Sequence, residues 1–133
     1  MIFAVADTHA ALWYVYDDPR MPAQTKDQID AAARRGEQII ISSITIAEIV
    51  YLIEKGRLRS EALTRLLMLL QSEESMLVEA PVDSTICQAL TRVPRAAVPE
   101  LPDRIVAATA LHFGVPVISR DQKIQAANLK TIW

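Results

Sequence analysis

Two kinds of hydrophobic pattern alternate along the chain. Ile2 to Ala6 is a short apolar run, and Asp7 to Tyr16 follows it with Leu12, Trp13 and Tyr16 at helical spacing, so a strand leads into a helix. Met21 to Arg35 predicts a second helix, opened by Pro22, closed by Gly36 and burying Ile29, Ala32 and Ala33. The period then changes. Gln38 to Ser43 is a β-branched run of the kind found in strands covered on both faces, and Thr45 to Ile53 predicts a helix ending near Gly56. From Ser60 to Gln71, Leu63, Leu66, Leu67 and Leu70 form an apolar stripe opposite Arg65 and Gln71. Met76 to Glu79 predicts a strand and Asp83 to Leu90 a helix, while Thr91 to Leu101, with Pro94 and Pro99, reads as the longest loop and as exposed. A helix from Pro102 to about Phe113 stops at Gly114, and strands follow at Val115 to Ser119 and Leu129 to Trp133. There is no internal repeat.

Strands alternating with helices predict an α/β fold, a mainly parallel sheet with helices on both faces. Composition narrows this further. With 133 residues, 51% of them hydrophobic and 23% charged, residues 1–133 suit one compact domain. Three Gly and seven Pro do not suggest low-complexity disorder, and no segment has the length and apolarity of a membrane span. Met1 runs straight into the first strand without the basic region of a secretory signal, so we expect a cytoplasmic protein. The lone Cys87 excludes an intrachain disulfide and a cysteine-rich zinc site, and is expected to be a small buried hydrophobe. His9 and His112 are too few for a zinc ligand set, and no serine or cysteine has the surroundings of an activated nucleophile. Gly36, Gly56 and Gly114 form neither a dinucleotide fingerprint nor a P-loop.

In such folds ligands bind beyond the carboxyl ends of the strands. Asp7 directly follows the first strand, Glu48 lies in the first turn of the helix after the second, and Asp121 comes two residues after the Val115 to Ser119 strand. Asp103 begins a helix roughly 16 Å long that is followed by a returning strand of similar length, so it stands at the same edge. Four acids from distant parts of the sequence therefore converge. Such a cluster is repulsive unless protonated or filled by cations, and an all-oxygen set suits Mg²⁺ or Mn²⁺ better than zinc. A cation held there can activate water and stabilise charge on a phosphate, which points to phosphodiester hydrolysis. Each acid also has a structural explanation. Asp7 suits a helix N-cap, Thr45-x-x-Glu48 and Ser119-x-x-Gln122 read as capping boxes, and Asp103 favours a helix dipole. Helices of this fold start at that edge in any case, so position alone leaves both explanations open. Against the cap reading of Glu48, its neighbours Ile44, Ile46, Ile49 and Leu52 make an unpaired carboxylate costly there.

The motifs Asp7-Thr8-His9-Ala10-Ala11-Leu12-Trp13, Ser43-Ile44-Thr45-Ile46-Ala47-Glu48-Ile49, Pro102-Asp103-Arg104-Ile105-Val106-Ala107-Ala108-Thr109-Ala110 and Val117-Ile118-Ser119-Arg120-Asp121 occur in that order. In this the chain resembles the PIN-domain ribonucleases, particularly VapC-like toxins of type II toxin–antitoxin systems. The resemblance covers nearly the whole chain. It implies a three-layer α/β/α fold and a Mg²⁺-dependent endoribonuclease, with Mn²⁺ able to serve, whose acidic residues map onto Asp7, Glu48, Asp103 and Asp121. It also implies an RNA substrate, a cognate antitoxin as inhibitor and a homodimer. Ser119 matches a small hydroxyl residue that supports the metal site. Val93 to Leu101 and Ser60 to Gln71 match in length only, which leaves the choice of RNA open.

The formal net charge of −2 does not by itself suggest nucleic-acid binding, but setting aside the four clustered acids leaves +2 for the rest. Arg104 and Arg120, each beside one of those acids, are candidates for phosphate contact, with solvated surface charge as the default. Trp13, Tyr14 and Tyr16 read as core or interface residues. A signalling receiver domain also uses an acidic pocket at a parallel sheet edge, yet Ser42 and Ser43 stand where its acceptor aspartate belongs, and no lysine closes the strand before Ser119. A non-catalytic binding domain with the same fold remains the alternative.

Overall fold

The computed structural model describes residues 1–127 and 129–133. Five parallel strands, β1 (Ile2–Ala6), β2 (Gln38–Ser42), β3 (Leu77–Ala80), β4 (Val117–Ile118) and β5 (Thr131–Ile132), form one sheet in the order β3-β2-β1-β4-β5. Alternation along the strands divides the apolar runs between two cores. Ala4, Ala6, Ile39, Ile41 and Ile118 point into one, while Val5, Ile40 and Val117 point into the other. Helices α1 (Thr8–Val15), α2 (Ala23–Arg34) and α4 (Glu61–Gln71) cover the first face through Leu12, Trp13, Ile29 and Leu66. The second face is covered by α5 (Ser84–Ala89), α6 (Leu101–Phe113) and α7 (Gln122–Ala126) through Ile86, Ile105, Val106 and Ile124. Helix α3 (Ser43–Glu54) serves both cores, with Ile44 packed in the second and Ile49 in the first. This is the expected three-layer α/β/α arrangement.

Several boundaries differ from expectation for identifiable reasons. Helix α3 starts two residues early because Ser42, the last residue of β2, is its N-cap and accepts from the Ile44 amide at 3.2 Å. Strand β4 is shorter than the run Val115 to Ser119, since Pro116 has no N–H to donate and contributes only its carbonyl, to the Val5 amide at 3.0 Å. Thr91 to Leu101 is not simply exposed. A 3₁₀ turn at Leu90–Arg92 opens it, and Val93 and Val98 are buried anchors within the second core. Cys87, expected inside, is exposed on the outer face of α5. Gly114 closes α6 at φ 66°, a left-handed conformation that accounts for glycine at this stop.

Candidate active site

The chain leaves β1 toward β2, on one side of the sheet, and leaves β4 toward β5, on the other. The carboxyl ends of these adjacent strands therefore frame a crevice that neither connection covers. Val5 pairs with Ile40 and Ala6 with Ile118, so one residue further Asp7 stands level with Ser42 on one side and Ser119 on the other.

Asp7 is the most enclosed of the acids, 8% exposed. It is the N-cap of α1, its Oδ1 accepting from the Ala10 amide at 2.9 Å, so the structural reading of this residue is correct as far as it goes. The Ser119 hydroxyl lies close enough to the same carboxylate to hold its pKa down, and its oxygen accepts from the Asp121 amide at 2.9 Å. Ser119 thus links Asp7 to Asp121. Asp121 in turn caps α7, accepting from the Lys123 amide at 2.9 Å, which replaces the expected capping box beginning at Ser119.

Glu48 is not a capping residue. With Ser42 as N-cap, Thr45 falls inside the first turn of α3 and its buried Oγ1 has no hydrogen-bond partner. The Glu48 carboxylate instead accepts from Thr8 Oγ1 at 2.5 Å, across from α3 to α1. Thr8 is a site residue the sequence analysis missed; its signal was a hydroxyl directly after Asp7.

Asp103 lies in the first turn of α6, as expected. Partial burial, followed by the charges of Asp121, Glu100, Glu48 and Asp7, pushes its pKa up to about 6. Burial is also the main reason the Asp7 carboxyl is raised, with Asp121 adding to it while Ser119, the Ala10 amide and His9 oppose it. The four predicted acids therefore act on one another across one region, and Glu100, at the N-cap of α6, adds a fifth charge to it. Among the described residues none of these acids has a basic ion-pair partner; the pairs present are Arg20–Asp18, Lys26–Asp17 and Arg35–Glu37. Nor are three potential ligands already gathered closely enough to enclose an ion among those residues. The donor chemistry, all carboxylate and unneutralised, is of the kind that suits a hard divalent cation.

The two candidate arginines have separate roles. Arg104 donates from one terminal nitrogen to the carbonyls of Leu90 and Val93, both at 3.0 Å, and so fastens the loop after α5 to α6 instead of reaching for a phosphate. Arg120 lies over the indole of Trp13, 5.0 Å from the ring centroid, and remains beside Asp121. Trp13 is buried, as expected, and His9 packs edge-on against it.

A parallel α/β fold with an acidic crevice at its strand-order switch thus defines the class. The chain belongs to the PIN domain family, whose model matches residues 4–129. Solved structures agree in fold. The VapBC2 complex from Rickettsia felis, bound to a DNA fragment from its promoter, contains a chain with 17% identity and a TM-score of 0.72; the match covers 99% of this chain and 98% of that one. DNA-bound VapBC from Salmonella typhimurium gives 18% identity and a TM-score of 0.67, with 99% and 98% covered. A toxin–antitoxin complex from Klebsiella pneumoniae gives 21% and 0.60, with 98% and 96% covered. No curated protein matches the chain significantly in sequence.

Proposed function

We propose that this protein is a metal-dependent endoribonuclease acting in the cytoplasm as the toxin of a toxin–antitoxin pair. The observation that carries this reading is the convergence of Asp7, Glu48, Asp103 and Asp121, all without basic partners among the described residues, in a member of the PIN domain family. Asp7, Asp103, Asp121 and Glu48 would hold Mg²⁺, with Mn²⁺ able to replace it. Bound there, the cation supplies a Lewis acid for the phosphate and lowers the pKa of the attacking water. Ser119 keeps Asp7 oriented through its hydroxyl, and Thr8 does the same for Glu48. A cation that offset the neighbouring charges would bring the raised pKa of Asp103 back toward the ordinary carboxylate value, so its binding would release protons.

The similar solved structures are toxin–antitoxin complexes, which supports an inhibitory partner here as well. Its complement to the acidic crevice is a basic side chain; the leucines of α4 are largely taken up by the protein's own core, where Leu66 is buried and Leu63, Leu69 and Leu70 pack against it. A homodimer is supported by α3, an apolar helix that leaves Val50 and Tyr51 exposed. The deciding experiment is cleavage of a labelled RNA by purified protein. Cleavage with Mg²⁺ that stops on addition of chelator is expected, and undiminished cleavage in excess EDTA rules the reading out.

A further inference from the structure

A cavity of about 590 Å³ forms a groove that starts one helical turn from the acids. Its floor includes Leu12, four residues after Thr8 on α1, and Leu52, four residues after Glu48 on α3, so it continues directly from the Thr8–Glu48 hydrogen bond. His9 stands at the near end. At the far end, past the last turn of α3, Arg57 and Arg59 line the rim; both are exposed and have no ion-pair partner among the described residues. From Glu48 to the end of α3 at Glu54 is about 9 Å, and both arginines lie beyond that end. Asp18, also on the rim, is held by Arg20 at 2.7 Å, and Arg20 rests on Trp13 at 4.8 Å from its centroid, which leaves Glu61 as the uncompensated acid of the groove.

We infer that this groove is the path of the RNA strand leaving the acidic crevice, with Arg57 and Arg59 binding phosphates of nucleotides next to the one cleaved. The inference rests on the nuclease reading of the site. Charge selects the occupant. An acidic peptide that paired with the two arginines would run on into four carboxylates, whereas a polyanion whose phosphate is neutralised by the cation at that end meets both parts of the surface favourably. The apolar floor, made of Leu12 and Leu52, offers contact to bases of any sequence. Phosphate contacts of this sort fix the register of a strand without reading its bases.

The test is fluorescence anisotropy of a labelled single-stranded RNA with Ca²⁺ in place of Mg²⁺, so that a hard cation still neutralises the crevice, read before any cleavage and over a series of monovalent salt concentrations. A double variant, Arg57→Gln with Arg59→Gln, should bind more weakly by the same factor for RNAs of different sequence. Its log-affinity against log-salt slope should be shallower by about 1.4, the contribution of two phosphates on a single strand. Arg34→Gln, at the end of α2, should leave both quantities unchanged, as should the thermal midpoint of the double variant. Wild-type affinity and slope in the double variant, with Mg²⁺-dependent cleavage intact, overturn the path while the nuclease reading survives. Unchanged RNA binding accompanied by lost binding of a polyglutamate peptide also overturns it and assigns the groove to a protein. An equal loss in Arg34→Gln overturns it in favour of general charge attraction. Neither binding nor cleavage of RNA by the wild type overturns the path together with the reading it rests on.

Discussion

At the residue scale, neither Thr45 nor Glu48 has the capping role its spacing suggested. The Thr45 hydroxyl is buried without a partner, so Thr45→Val, which removes it at nearly constant volume, should stabilise the protein by about 1 kcal/mol in denaturant melts. A cap would have shown the opposite sign. Glu48→Gln keeps an acceptor for Thr8 but removes the charge, so folding should be unchanged or improved while cleavage falls severely. A variant with wild-type rate at limiting Mg²⁺ would remove Glu48 from the site. Asp103 gives a pH signature. Its native pKa, about 6, lies above the unfolded value of 3.8, so the native state binds more protons between these values and stability falls as pH rises through that window. Asp7, also raised, acts in the same direction. In metal-free protein the melting temperature should therefore rise as pH is lowered from 7 toward 5, and Asp103→Asn should flatten that rise.

At the scale of elements, the site is made of helix beginnings. Three of the four acids sit at or within the first turn of α1, α6 or α7, and Glu48 lies in the second turn of α3, six residues after its cap. The positive ends of these helices face the crevice and offset part of its carboxylate repulsion. Ser42 controls where α3 starts, and hence where Glu48 points, so Ser42→Ala should cost about 0.5–2 kcal/mol of stability, read by chemical denaturation. Arg104 fastens the 3₁₀ turn to α6 in a similar way. Arg104→Met leaves the carbonyls of Leu90 and Val93 without this donor and should loosen the segment up to Glu100, seen as faster amide exchange from Val93 to Val98.

For the whole molecule, the proposed toxicity and metal dependence would both rest on the acidic crevice. Expression without a partner should arrest growth, and Asp7→Asn should relieve the arrest; equal inhibition by both forms would attribute it to binding or aggregation. The variant should nevertheless fold, because asparagine is as good an N-cap as aspartate and keeps an acceptor for Ala10. Coexpression should allow recovery of wild-type protein only with its inhibitor bound.

The order of elements, the sheet buried on both faces and the gathering of four acids at one edge were legible in the sequence. Each follows from local period and from the parallel crossover rule, which carries every helix start after a strand to the same end of the sheet. The motifs added the family. What the sequence left ambiguous was partnership. Thr45-x-x-Glu48 fits a capping box at the level of spacing, and only the position of Ser42 at the end of β2 moves the cap upstream and turns Glu48 toward Thr8, forty residues away in the chain. The charge of Arg104 was evident, but its direction depended on where the Leu90 and Val93 carbonyls came to lie. Cys87 lay in an apolar stretch and still faced outward, because a two-turn helix has one buried side and Ile86 and Ala89 occupy it. Periodicity constrains neighbours within one element; the hydrogen bonds of Glu48 and Arg104 reach residues that only the packed sheet and its helices bring within range.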